Sequence, residues 1–320
     1  MELSIIIVNW NSKEYLRKCV GSILAETRGL KFEIIVIDSA SFDGCAKMLH
    51  SEYPQVRFIQ SRENLGFAQS NNLAFRSATG ESVLFLNPDT EIVGPAINVL
   101  YSTLKLLPDA GLVGGRLLNS DGTVQTSCVQ AFPTVLNQLL NAESLRRRFP
   151  RSRLWGMAPL FDADTKPKVV EVISGACVML PRLLLQKIGV FSKDYFMYSE
   201  DIDLSYKVSQ AGYKRYYVPG ATVVHHGGGS SHTVGDPCLN VMMRESAWRY
   251  FTKTRGKSYG WFFRGSILAS ALVRLALLAL LFPLLKPCRH RETWKASIQK
   301  WKAILLWSLQ GEKMRQGYPK

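Results

Sequence analysis

Two acidic residues stand where a sheet protein does chemistry. Asp38 ends the apolar, β-branched run Phe32 to Ile37, and Asp89 closes Asn87-Pro88-Asp89 just after the apolar run Ser82 to Leu86. Open α/β sheets collect ligands outside the carboxyl ends of their strands. A carboxylate there can accept hydrogen bonds from a nucleobase or ribose, or bind a metal. Either residue alone reads equally well as a turn former. Together with the loop residues Asn9, Ser12, Asn64 and Asn72 they point to a bound ligand. Asn87 and Asp89 put two oxygen-bearing side chains two residues apart. Mg²⁺ and Mn²⁺ take such ligands and complete their shells with water and substrate phosphates. A divalent metal neutralising a departing diphosphate is therefore the expected cofactor.

A second group is Glu200-Asp201-Ile202-Asp203, at the start of a helical pattern. Acids there can simply complement the helix dipole. Gly175-Ala176, Phe196-Met197-Tyr198 and Tyr206 add apolar and aromatic surroundings, in which a carboxylate can be raised toward neutrality and act as a general base. A third group is His225-His226 followed by Gly227-Gly228-Gly229-Ser230-Ser231. A neutral imidazole ligates metals. Glycines admit a diphosphate to the backbone, and serines donate to it.

The elements that must carry these residues alternate. Strand-like runs at Leu3 to Val8, Phe32 to Ile37, Val56 to Gln60 and Ser82 to Leu86 are separated by helical stretches near 13–24, 44–52 and 66–77. That pattern indicates βαβ units and a mostly parallel, Rossmann-like central sheet flanked by helices. Short strands are expected at Leu112 to Val113, Arg116 to Leu118 and Thr123 to Ser127, with Asp121-Gly122 as a hairpin turn. Further strands are expected at Val169 to Leu180, Tyr216 to Val218 and Thr222 to Val224, and a helix at Asp201 to Ala211. Residues 137–168 read as irregular and basic.

Of the net charge of +15, about +13 lies beyond residue 243, where sixteen Lys and Arg face three acids. Such asymmetry points to an anionic partner. Trp261 to Leu285 is apolar apart from Arg264, Arg274 and Pro283, and a basic, Trp-bearing flank follows. The expected organisation is a catalytic domain over 1–240 and a helical, membrane-associating extension over 241–320. Arg274 near the middle of the apolar run argues for a helix at the interface over a true span. A helix buried against the protein is the third possibility. No residues among the first few resemble a secretory leader, and the six cysteines form no metal or redox spacing. A cytoplasmic protein peripheral to the inner face of the membrane is expected.

These motifs, in this order, resemble the inverting family 2 glycosyltransferases of GT-A fold, across Leu3 to about Ser231. Ser4 to Asn11 is similar to the opening strand and nucleotide loop. Ile34 to Gly44 is similar to the strand that carries the base-binding Asp, here Asp38, with Ser39 where Asn is common. Asn64-Leu65-Gly66 with Asn71-Asn72 resembles the next nucleotide segment. Phe85 to Thr90 resembles the metal motif, with Asp89 as ligand and Asn87 in place of the first acid. Ser174 to Cys177 resembles the acceptor strand.

The resemblance implies Asp201 as catalytic base beside Glu200, and a nucleotide site of Asn9, Asp38, Asn64, Gly66, Asn72 and Asn87. It implies acceptor contacts from Gly175, Ala176 and Tyr198, and a metal held by Asp89 and His225, with His226 as the alternative. The implied reaction moves a sugar from a nucleotide-diphosphate donor to a hydroxyl of a glycan or lipid-linked acceptor. The nearest members are rhamnosyltransferase-like enzymes of surface polysaccharide synthesis. A nucleotidyltransferase would need a Gly-rich, basic phosphate loop, and residues 9–13 contain no Gly. A nucleic-acid binder would interleave basic and aromatic residues over the main domain, and the first 240 residues do not.

Overall fold

The computed structural model describes residues 1–140, 148–149, 152, 154, 166–227, 237–281 and 291–310. The chain packs as two units. The first comprises Met1–Phe132, Ala142–Phe196 and Glu200–His232. The second comprises Pro133–Asn141, Met197–Ser199 and Thr233–Lys320, so it takes in two short segments that a boundary at 240 assigns to the first.

The first unit opens β1 (Leu3–Asn9), α1 (Lys13–Glu26), β2 (Phe32–Asp38), α2 (Cys45–Glu52), β3 (Arg57–Gln60), α3 (Gly66–Phe75) and β4 (Ser82–Leu86). β5 (Thr90–Val93), α4 (Ala96–Leu106), β6 (Ala110–Leu118) and β7 (Val129–Gln130) follow. Within the second unit, α5 is Val135–Leu140. The first unit then resumes with β8 (Lys168–Val170), β9 (Val172–Ile173), β10 (Cys177–Pro181), α6 (Arg182–Ile188), α7 (Glu200–Gln210) and β11 (Lys214–His225).

The main sheet runs β3-β2-β1-β4-β10-β6-β11-β5, with β8 on β11. Its first four strands are parallel. From β10 onward the sheet is mixed, because β10 runs antiparallel to both β4 and β6. Strand alternation divides the core in two. Leu3, Ile5 and Ile7 pack with Leu16, Val20 and Leu100 on one face, while Ile6 and Val8 pack with Ala68, Leu184 and Leu204 on the other. Burial on both faces explains why β1 and β4 read as unbroken apolar runs.

Three expectations change. Leu112 to Val113 and Arg116 to Leu118 are one strand, β6, and β11 likewise joins its two expected pieces through a bulge between Val218 and Thr222. Thr123 to Ser127 is not a strand: Val124 makes one bridge to Leu118, and Thr126–Cys128 forms a 3₁₀ turn. Val169 to Leu180 breaks into β8, β9 and β10.

In the second unit, α8 (Pro237–Arg255), α9 (Lys257–Leu281) and α10 (Arg291–Gln310) pack together. Arg264, 3% exposed, lies against the rings of Trp248, Trp261 and Trp307. It also donates to the backbone oxygens of Trp307 and Ser308 in the last turns of α10. The Trp307 indole in turn donates to Glu245 at 2.9 Å. A buried guanidinium is tolerable when its charge meets aromatic faces and helix-terminal carbonyls.

Candidate active site

The carboxyl ends of β1 and β2 bring Asn9 and Asp38 together, with Asn9 Nδ2 donating to Asp38 Oδ1 at 2.8 Å. Ser41, Gln60 and the backbone N–H of Phe42 also donate to Asp38. Burial pushes this carboxyl up, but the bonds from Ser41, Gln60 and Asn9 outweigh it and hold Asp38 below the usual carboxylate range. Asn9 Oδ1 is buried with no hydrogen-bond partner among the described residues. Ser39 anchors the next loop. Its hydroxyl donates to Asn64 Oδ1 at 3.2 Å and accepts from the Leu65 N–H at 3.0 Å.

Gly66 has φ +71°, and a Cβ there would sit 2.4 Å from the Phe196 carbonyl oxygen. Only glycine combines that turn with that approach. Asn72 lies apart from this cluster in its bonding. Its amide donates to the Phe191 carbonyl and accepts from the Phe191 N–H.

Beyond β4, Asn87, Asp89 and His225 converge. His225 Nε2 lies 3.3 Å from Asp89 Oδ1 and 3.3 Å from Asn87 Nδ2. Gln125 clamps the histidine: its Nε2 donates to the His225 carbonyl at 2.6 Å, which turns its Oε1 to His225 Nδ1 at 2.9 Å. Nδ1 therefore carries a proton, and Nε2 faces Asp89 Oδ1 and Asn87 Nδ2. A carboxylate oxygen and an imidazole nitrogen are donor types that divalent cations take. His226 is directed elsewhere. Its Nε2 meets Glu91 at 2.7 Å, its Nδ1 meets Ser120 at 2.8 Å, and its ring stacks near Tyr15. Residues 228–231 of the Gly-Ser loop lie outside the described residues.

At the start of α7, Glu200 is buried and Asp201 partly so. Burial, then the neighbouring Asp201 charge, pushes Glu200 up to about 8. Burial raises Asp201 too, opposed by N–H bonds from Gly175 and Ile202. Two backbone donors favour the ionised form at Asp201 over Glu200. Glu200 Oε2 is buried without a described partner. Tyr198 and Ser199, just before, both have positive φ (+70° and +64°), strain of the kind that collects at functional sites.

Consecutive residues link the two halves. The Gly175 N–H donates to Asp201 Oδ2 at 3.1 Å, and the Ala176 carbonyl accepts from the Asn87 N–H at 2.9 Å. A Cβ on Gly175 would lie 3.2 Å from the Asp201 Cβ. The segment expected to touch the acceptor thus ties Asp201 to the Asn87–Asp89 turn.

The family model for glycosyl transferase family 2 matches residues 4–189. The chain belongs to that family. It is a glycosyltransferase of GT-A fold. It is 27% identical, over 83% of its length and 90% of the relative's, to an N-acetylglucosaminyl-diphospho-decaprenol L-rhamnosyltransferase of Mycobacterium tuberculosis. It is 24% identical to rhamnosyltransferase WbbL of Escherichia coli, over 78% of this chain and 93% of that one. Its fold is similar to that of mannosyltransferase PcManGT of Pyrobaculum calidifontis, solved with GDP-Man and Mn²⁺ (TM-score 0.56, 19% identity, 97% of this chain, 87% of that one). It is also similar to GalNAc-T7 solved with UDP, GalNAc and Mn²⁺ (TM-score 0.58, 16% identity, 100% of this chain, 58% of that one).

Several residues of the transferase's site escape sequence reading. Gln125 and Gln60 have no motif around them, and Asp43 lies inside the Ile34-to-Gly44 motif without a role of its own there. Asp43 accepts from the Lys13 N–H at 2.9 Å and the Cys45 N–H at 3.0 Å, tying the starts of α1 and α2 to the Asp38 loop. Asp38, Asp43 and Cys45 place ligand-type atoms within 4.8 Å of one another. Burial and both carboxylates push the Cys45 thiol well above its ordinary range, and the carboxylates are already bonded to donors, so this cluster is a poor metal site.

Proposed function

We propose that this transferase is an inverting, divalent-metal-dependent enzyme that passes a sugar, such as rhamnose, from a nucleotide-diphosphate donor to a hydroxyl of a lipid-linked glycan acceptor in cell-surface polysaccharide synthesis. The observation that carries the reading is the facing of His225 Nε2 and Asp89 Oδ1, joined through Asn87 and Ala176-Gly175 to Asp201. Oxygen and imidazole donors without thiolate suit Mg²⁺ or Mn²⁺. Asp89 and His225 would hold the ion, with His226 left to Glu91 and Ser120. When bound, the ion neutralises charge on the leaving diphosphate.

Asp38 and Asn9 orient the nucleoside, and the Asn64-to-Gly66 turn borders it. Asp201 takes the proton from the acceptor hydroxyl. The oxygen attacks the anomeric carbon as the bond to the diphosphate breaks, and its electron pair leaves on the β-phosphate. Protonated Glu200 keeps a second negative charge from the approaching nucleophile. Gly175, Ala176 and Tyr198 are the proposed acceptor contacts.

The second unit supports a site at the cytosolic membrane surface. α9 is long and apolar enough over Lys257–Leu280 to cross a bilayer, yet Arg274 interrupts it. Its exposed Trp261, Phe262, Leu272, Val273, Leu277 and Leu280 suit a helix lying in the interface. Thermal-shift screening of nucleotide-diphosphate sugars with Mn²⁺, then with chelator, tests the reading. One donor should stabilise the protein only with metal, and stabilisation by no donor under either condition would refute it.

A further inference from the structure

The second unit holds two arginines where apolar packing alone would not put them. Arg244 of α8 donates through Nη1 to the backbone and side-chain oxygens of Gln138, at 3.3 and 3.4 Å. Arg274 of α9 donates through Nη2 to the Leu139 carbonyl at 3.1 Å and through Nε to Ser270 at 3.3 Å. Its guanidinium lies 4.5 Å from the Trp301 ring centroid. Both cations thus grip the last turn of α5, where carbonyls carry partial negative charge.

A helix end offers about half an elementary charge, against two full positive charges. Neither arginine has a carboxylate partner among the described residues. Burial, and then the charge of Arg274, push Arg244 down to about 10. The two guanidiniums therefore repel one another, and each keeps N–H groups beyond those used on α5. Both side chains remain partly open to solvent. The residues flanking Arg274 along α9, namely Leu272, Val273 and Leu277, are more than half exposed. A cation amid exposed apolar side chains is costly in a membrane unless an anion meets it. The chemistry that satisfies both features is a phosphate joined to an apolar chain.

We propose that Arg244 and Arg274 form a diphosphate-binding site for the lipid carrier of the acceptor, with the exposed α9 side chains contacting its hydrocarbon. This rests on the lipid-linked acceptor proposed above. Two forks presenting N–H pairs fit the spread oxygens of a diphosphate better than the single phosphate of a bilayer phospholipid.

Full-length protein is titrated with farnesyl diphosphate and with farnesol in neutral detergent micelles, for wild type, Arg244→Gln and Arg274→Gln. The wild type should prefer the diphosphate at least about tenfold, and each variant should lose about tenfold of its affinity. Mn²⁺–nucleotide binding, which also reports folding, should stay unchanged. So should binding to phosphatidylglycerol vesicles. If the Gln variants fail to fold, Arg244→Lys and Arg274→Lys make the same comparison, and loss of the fork with charge retained should still weaken binding. Equal affinity for farnesol and farnesyl diphosphate, or unaltered affinity in the variants, would overturn the proposal. A variant defect seen on phosphatidylglycerol vesicles but not on farnesyl diphosphate would also overturn it, in favour of a phospholipid contact. Failure of the glycosyl-transfer reading would look different: wild type would bind no nucleotide with Mn²⁺, whatever the lipid result.

Discussion

Glu200→Gln should make the protein more stable in mild alkali and leave it unchanged in mild acid. Glu200 ordinarily titrates near 4.5 and is pushed up to about 8 in the fold, by burial first and the Asp201 charge second. A tenfold change in a proton equilibrium is worth about 1.4 kcal/mol, so ionising Glu200 costs the fold at most about 5 kcal/mol. The sign follows from proton counting. Between about 4.5 and 8 the native state holds a proton that the unfolded state has released, so stability falls as pH rises through that window. Glutamine matches the protonated acid in shape and does not titrate. Calorimetric Tm values for the two proteins should coincide near pH 5 and diverge by several degrees by pH 8.5, at roughly 2 °C or more per kcal/mol. Asp201→Asn removes part of the cause and should flatten the wild-type slope partway. Parallel Tm curves for wild type and Glu200→Gln would refute the buried, neutral Glu200. Transfer by Glu200→Gln should also persist above pH 8, where the wild-type rate falls as a second charge develops.

Three further outcomes follow from the same geometry. Gln125→Leu frees the His225 ring without touching any other proposed ligand, and should weaken Mn²⁺-dependent nucleotide binding about 10–100-fold, measured by titration calorimetry. Asp89→Ala should abolish the metal-dependent part of nucleotide binding and leave any metal-free binding intact, and wild-type Mn²⁺ response in this variant would exclude Asp89 as a ligand. Leu272→Glu with Leu280→Glu places charge on exposed apolar positions of α9 and should lower vesicle partitioning at least about tenfold while leaving Tm unchanged. Unchanged partitioning would remove α9 from the membrane-facing surface.

The parts of the site that sit on strand ends were legible, because a buried parallel strand announces itself as an apolar run and its ligands lie just past it. Asp38, Asp89 and His225 all follow that rule. What failed was long-range and side-chain in origin. Asp121-Gly122 does turn the chain, with Gly122 at φ +80°. The return stretch then makes one bridge at Val124 and a 3₁₀ turn in place of a strand, an irregularity that accompanies the Gln125 clamp on His225. Nothing local marks that glutamine. Val169 to Leu180 looks like one strand, but its chain leaves the ladder at Ser174–Ala176 so that Gly175 can meet Asp201. The bonds from Asn72 to Phe191, 119 residues away, have no local mark in the sequence either. The different surroundings of His225 and His226 likewise come from distant segments, Gln125 and Asp89 for one and Ser120 and Glu91 for the other.

Single-turnover sugar transfer by Asp201→Asn, beside its Mn²⁺–nucleotide dissociation constant, tests the site most directly. Asparagine keeps an oxygen for the Gly175 N–H and removes the charge together with the acceptor that meets the Ile202 N–H. Transfer should drop about 10²–10⁴-fold with nucleotide affinity unaltered. Transfer within a few-fold of wild type would mean that another group takes the proton.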